Sequence, residues 1–399
     1  MTRSTPAAGR TRPAPPELDI DLLLKDPEIK VIVTCCSGGV GNTTTAAALA
    51  LRAAEQGRKV VVLTIDPARR LAQSLGLTEL DNTPRKVPGV GGTGAGHDGG
   101  ELLAMTLDMK RTFDEVVLLH TTEEKAQQIF ANPFYQSLSA SFAGTQEYMA
   151  MEKLSQLRDQ LVEHGEWDLI VVDTPPSRSA LDFLDAPQRL GRFLDGRMIR
   201  LLTAPARAGG KAYLKVVSAG FGVFTKVMTK ILGNDLLGNV SAFVASLETM
   251  FGGFRERADQ TYELLKAPDT AFVVVASPEP DALREASFFV ERLQQEQMPL
   301  AGVVLNRLRT APEGLSAQRA AAAAERLAEL DSSEPAALLA AAALAVQVES
   351  AESAKHDQAM IVRFAAAHPE IAQRTVPALA TDVHDLAGLR SIGAALAGS

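Results

Sequence analysis

Residues 31–57 read "VIVTCCSGGVGNTTTAAALALRAAEQG". A short apolar run leads into a glycine-rich turn, and the turn leads into a stretch built from strong helix formers. Such a turn lets backbone amides converge on an anion, and the helix behind it adds the positive end of its dipole. Gly38, Gly39 and Gly41 supply the turn around Val40, Thr43 falls where a hydroxyl holds Mg²⁺ in phosphate loops, and Thr44 carries the chain into the helix. Against the strict pattern G-x-x-x-x-G-K-[ST], Cys36 stands for the first glycine and Asn42 for the lysine. A strand, turn and helix of this type belong to an α/β fold.

The rest of the chain repeats that alternation. Further Val- and Ile-rich runs lie at Lys59–Ile65, Leu169–Val172, Ala271–Ala276 and Ala301–Leu305, with helical patterns between them. Runs without polar alternation are strands covered on both faces, and strands separated by helices form a doubly wound, mainly parallel sheet of the P-loop NTPase type. Ligands of such sheets sit beyond the carboxyl ends of the strands. Asp66 follows one of these runs and Asp173 another, which sets two carboxylates at the sheet edge that carries the glycine turn. Either alone is an ordinary helix cap. Together with the turn they form the acidic complement that Mg²⁺-phosphate chemistry requires.

Composition narrows the class. The chain of 399 residues is 46% hydrophobic, and the apolar run Ala336–Val346 is too short to span a bilayer. The N-terminal residues 1–18 read as a disordered tail without a secretory signal, and residues 82–100, "NTPRKVPGVGGTGAGHDGG", as a mobile loop too rich in glycine to pack. Residues 19–186 form the first part of the core, 187–254 an inserted helical subdomain and 255–399 the second part. The alanine-rich residues 316–350 are helical by propensity. Cys35 and Cys36 are the only cysteines, which argues for a cytoplasmic chain without disulfides or a cysteine-based metal centre. The net charge of −8 argues against nucleic-acid binding, yet residues 187–233 hold nine Arg or Lys against Asp195 alone. That local +8 leaves −16 elsewhere and marks the insert as a candidate contact surface for anions, membrane headgroups or an acidic partner.

Seven stretches resemble the ArsA-type ATPases, the family of the arsenite pump ATPase and of the guided-entry targeting factor for tail-anchored membrane proteins. "SGGVGNTT" resembles the deviant phosphate loop of that family, "DPARRL" its first switch, "GTQEYMAMEKL" its glycine-and-acid segment and "DTPPSRSALDFL" its second switch. "ASPEP", "VVLNRL" and "VPALATDVHDLAGL" resemble its base-side strands and adenine loop. The resemblance implies ATP and Mg as cofactors. It implies Thr43 as a Mg²⁺ ligand, Asp66 orienting the attacking water, Asp173 holding Mg²⁺ through water, Asn306 reading the adenine and Pro377 opening the adenine loop. It also implies a dimer in which a lysine of the loop reaches the partner's phosphates.

The chain departs from that pattern at both lysines, the transverse position being Ser37 and the local one Asn42. Phosphoryl transfer depends on positive charge facing the equatorial oxygens, so Asp66, Asn42 and Ser37 are the positions on which catalysis turns. Arg69, Arg70 and Arg178 are candidate substitutes, or else solvated and partner-facing charges. No C-x-x-C pair offers a dimer-bridging zinc, and no cysteine trio offers an arsenite site. Two readings stand. One is a dimeric ATPase that couples hydrolysis to movement of the insert around a hydrophobic protein client or a membrane surface. The other is a nucleotide-holding, catalytically weak subunit that pairs with a lysine-bearing paralogue.

Overall fold

The computed structural model describes residues 15–66, 70–91, 99–133, 135–136, 145–175, 260–312, 314–329 and 335–398. The expected basic insert and the candidates Arg69 and Arg178 lie outside the described residues.

The strands are β1 (Val31–Cys36), β2 (Lys59–Thr64), β3 (Arg85–Lys86), β4 (Glu101–Thr106), β5 (Leu169–Asp173), β6 (Thr270–Ala276), β7 (Leu300–Leu308) and β8 (Gln373–Pro377). They form one sheet in the order β3-β4-β2-β5-β1-β6-β7-β8, parallel throughout except for the β3–β4 pair. Every residue of β1, β5 and β6 is buried, as strands with helices on both faces must be.

The helices are α1 (Ile20–Lys25), α2 (Asn42–Glu55), α3 (Arg70–Ser74), α4 (Met109–His120), α5 (Glu123–Phe130), α6 (Thr145–His164), α7 (Pro280–Gln295), α8 (Ala317–Glu329), α9 (Pro335–Ala367) and α10 (Leu386–Ala397). Alternate residues of β1 feed two separate cores: Val31, Val33 and Cys35 pack towards α4, α6 and α7, and Ile32 and Cys36 towards α1, α2 and α10. The alanines of α2 let it lie close on the sheet, and ten of its fourteen residues are buried. Arg52 of α2 grips Asp21 of α1 with two bonds of 2.5 and 2.8 Å, and that grip pulls the Asp21 carboxyl down to about 2. The last turn of α2 is thereby tied to α1, which packs in the same core layer.

Three expectations need correction. Residues 16–18 of the supposed tail pair with β8: Glu17 bridges Gln373, and Leu18 is buried because its side chain fills the space beside Gly302. Within the supposed mobile loop, β3 pairs with β4 and Asn82, Val87 and Val90 are buried, because the apolar residues between the glycines reach the core. Asn82 also accepts from the Asp108 amide and the Thr112 hydroxyl. Finally, α9 runs for 33 residues, and by length and composition alone it is apolar enough to cross a membrane. Its alanines set that hydropathy. It packs along α8 and is fastened to the end of β7 by the buried Asp357, which accepts from Arg309.

Candidate functional site

At the carboxyl end of β1 the chain enters the turn with Ser37, and Gly39 and Gly41 adopt φ of +80° and +91°. Both angles lie in the left-handed region, which glycine adopts without a Cβ penalty. A Cβ on Gly41 would come within 2.5 Å of the Asn306 side-chain nitrogen, so this position needs glycine on two counts. Gly41 precedes the first residue of α2 with no side-chain cap, and the Thr45 amide and hydroxyl satisfy its carbonyl. The helix start is thus left open to an anion.

The sheet register carries the acid to the turn. β5 lies between β1 and β2, and Asp173 stands opposite Thr34 on one side and Thr64 on the other. The Thr64 hydroxyl donates to Asp173 Oδ2 at 2.8 Å and accepts from the Asp66 amide at 3.2 Å, so one threonine joins both carboxylate positions. Thr43 also favours the ionised form of Asp173. The Asn42 amide donates to Asp173 Oδ1 at 2.7 Å and to the carbonyls of Thr174 and Thr34 at 3.1 and 3.4 Å. Asn42 is therefore held against the carboxyl end of β5. The Thr174 hydroxyl also donates to Thr34 O, at 2.8 Å, which ties β5 to β1 at the rim.

Burial governs Asp173. It is fully enclosed, and desolvation raises its carboxyl to about 6 against the lowering effect of the Thr64, Thr43 and Asn42 donors, with the nearby Asp66 charge adding to the rise. Because its pKa in the fold lies above the unfolded value, the folded chain binds the extra proton between about pH 4 and 6. Stability of the metal-free protein from this group is then full below pH 4 and is lost as pH rises through 6. Replacing Asp173 with Asn removes that loss. In EDTA at pH 8 the variant is expected to be more stable than the parent by about 2 kcal/mol, with the difference vanishing near pH 4, as read by thermal unfolding. A pH-independent difference would mean that the carboxyl is already ionised and satisfied in the fold.

Residues 37–44 link β1 to α2, and Asp173 at the end of β5 and Asp66 just past β2 are joined through the Thr64 hydroxyl. Asn306, buried at the end of β7, donates to Val40 O at 2.8 Å and so clasps the turn itself. Pro377 closes β8 opposite Leu308. Arg70 stands exposed at the start of α3. Thr34, Thr64, Thr174 and Arg307 belong to the site without having been singled out from sequence, because their roles come from strand register.

Two buried side-chain atoms at the turn, Ser37 Oγ and Asn42 Oδ1, have no hydrogen-bond partner. Buried polar atoms are rarely left so. Together with the open amides of the turn and the Thr43 and Asp173 oxygens, they fit a phosphate-bound Mg²⁺.

The family model described as anion-transporting ATPase matches residues 29–333. Among curated proteins, the chain is 27% identical over 294 residues to the ATPase get3 of Schizosaccharomyces pombe, covering 72% of this chain and 76% of that one. It is 26% identical over 298 residues to the ATPase get3 of Schizosaccharomyces japonicus, covering 74% and 79%. It is 24% identical over 291 residues to an ATPase ASNA1 homolog of Babesia bovis, covering 73% and 69%.

Proposed function

The chain belongs to the anion-transporting ATPase family, and from that premise we propose that it binds MgATP at the β1–α2 turn and hydrolyses it slowly, as one subunit of a dimer. The observation that carries this reading is the Asp173 carboxyl, held at the turn by Thr64 and Asn42 beside two buried oxygens that lack partners. Mg²⁺, when bound, neutralises the charge that develops on the phosphates. Thr43 and Asp173 are the residues that would hold it, Asp173 through water. Asp66, beside them on the Thr64 hydroxyl, orients the attacking water.

The slow rate follows from charge. The loop carries Ser37 and Asn42 where the pattern has lysines, and Asn42 is turned towards Asp173. A second reading rests on the same observation: a weak subunit that is completed by a lysine-bearing paralogue. The movement expected of the insert at residues 187–254 around a hydrophobic client or membrane surface, and a cytoplasmic location, remain part of the proposal.

Calorimetric titration of the purified chain with ATP, with and without Mg²⁺, tests the binding. Turnover measured alone and after mixing with a co-expressed paralogue separates the two readings. Mg²⁺-dependent binding with measurable turnover alone supports the first, and turnover that rises only on mixing supports the second. An absence of ATP binding in both mixtures overturns the proposal.

A further inference from the structure

Between β7 and β8 the register slips: Leu305 stands opposite Thr375, but Leu308 stands opposite Pro377, so β7 carries one residue more than its neighbour. A bulge of this kind bends a strand and re-aims its side chains, and bulges gather beside functional sites. Here it falls on Asn306 and Arg307. Consecutive residues of a regular strand point to opposite faces. These two instead reach the same loop, Asn306 donating to Val40 O at 2.8 Å and Arg307 Nη1 to Gly39 O at 2.6 Å. Arg307 does so from φ +60°, one of two non-glycine residues among those described with positive φ.

A left-handed arginine is strained in its backbone, which something else must offset. A single bond to an exposed carbonyl offsets little of it. The guanidinium runs along the turn, with its Nε 3.9 Å from the point where a Gly41 Cβ would lie. Among the described residues Arg307 has no carboxylate partner, and the side chain is exposed, so most of its five donors are open beside the turn. The loop itself, from Cys36 to Thr44, contains no charged residue.

We propose that Arg307 contacts the phosphates of the bound nucleotide and supplies, from β7, the positive charge that the loop lacks. The proposal rests on the MgATP reading above and names the cation of that same site. A planar fork that keeps one N–H on a loop carbonyl still presents others in a fixed direction, which suits a phosphate oxygen better than a flexible ammonium would. The bulge is what gives the fork its reach, and Asn306, clasping the next carbonyl along, holds the loop in register with it.

The test is calorimetric affinity for ATP, ADP, AMP and adenosine in the full chain, the Arg307→Ala variant and the Arg307→Gly variant. Glycine suits φ +60°, so Arg307→Gly removes the side chain while relieving the backbone, and its melting temperature should equal or exceed that of the parent. Both variants are expected to lose about ten- to a hundredfold in affinity for ATP and ADP while affinity for adenosine stays within twofold. Arg307→Lys should recover part of the loss, and added salt should weaken ATP binding to the parent more than to Arg307→Gly. Unchanged ATP affinity in Arg307→Gly overturns the proposal, as does an equal loss for adenosine, which would make Arg307 a structural clasp only. If the parent itself binds no ATP, the underlying reading fails and this proposal fails with it.

Discussion

Replacing Asn42 with lysine is expected to raise ATP turnover of the purified chain about a hundredfold or more, because one charge-assisted contact in the transition state is worth several kcal/mol. The local structure accommodates the change. Asn42 sits on the first turn of α2 with its amide 2.7 Å from Asp173 Oδ1, so a lysine there begins beside a carboxylate and keeps a partner in the nucleotide-free state. That ion pair would also lower the Asp173 carboxyl from its raised value near 6, so the acid stays ionised into mildly acidic solution. The longer side chain then extends past the acid towards the phosphates, which the single methylene of asparagine does not allow. Single-turnover hydrolysis in parent and Asn42→Lys separates the chemical step from product release. Equal rates would mean that another cation already serves the transition state. Combining Asn42→Lys with Arg307→Gly identifies it: if Arg307 is that cation, the double variant falls back towards the rate of the Arg307→Gly protein unless the new lysine replaces it.

The centre of this fold was legible in the sequence and its margins were not. β1, β2, β5 and β6 are buried on both faces, so they read as unbroken apolar runs. β8 at the sheet edge, "QRTVP", has two exposed positions and ends in proline, and β3 is two exposed residues long, so neither presents a pattern. Burial of Asn82, Val87 and Val90 was hidden because the two valines are isolated among prolines and glycines, in a segment that β3 pairs to β4. The same division holds at the site. Gly41, Thr43, Asp66 and Asp173 announce themselves by residue type and spacing. Thr34 and Thr64 matter because the β1–β5–β2 register sets them opposite Asp173, and Arg307 matters because of a slip against β8. Register is a relation between strands distant in sequence, and no local window contains it.

Asp66→Asn carries the other large expected effect: a fall of about a hundredfold or more in the hydrolytic rate, with ATP affinity unchanged or improved. Asp66 is half-buried just past β2, and its amide is bound to the hydroxyl that Thr64 donates to Asp173, so its backbone is fixed beside Asp173. A carboxylate placed there accepts a proton or a hydrogen bond from water, and an amide of the same shape accepts one far more weakly. Its charge works against binding. The Asp66 carboxylate raises the pKa of Asp173 and repels a triphosphate, so neutralising it favours an ionised Asp173 and an unopposed phosphate. Loss of rate without loss of affinity therefore separates a water-orienting role from a structural one, since disruption of the Thr64 link would weaken Mg²⁺ and ATP together. The Asn42→Lys background gives the rate enough range to read. A fall in affinity as large as the fall in rate would assign Asp66 to holding the site together and leave the orientation of water to another group.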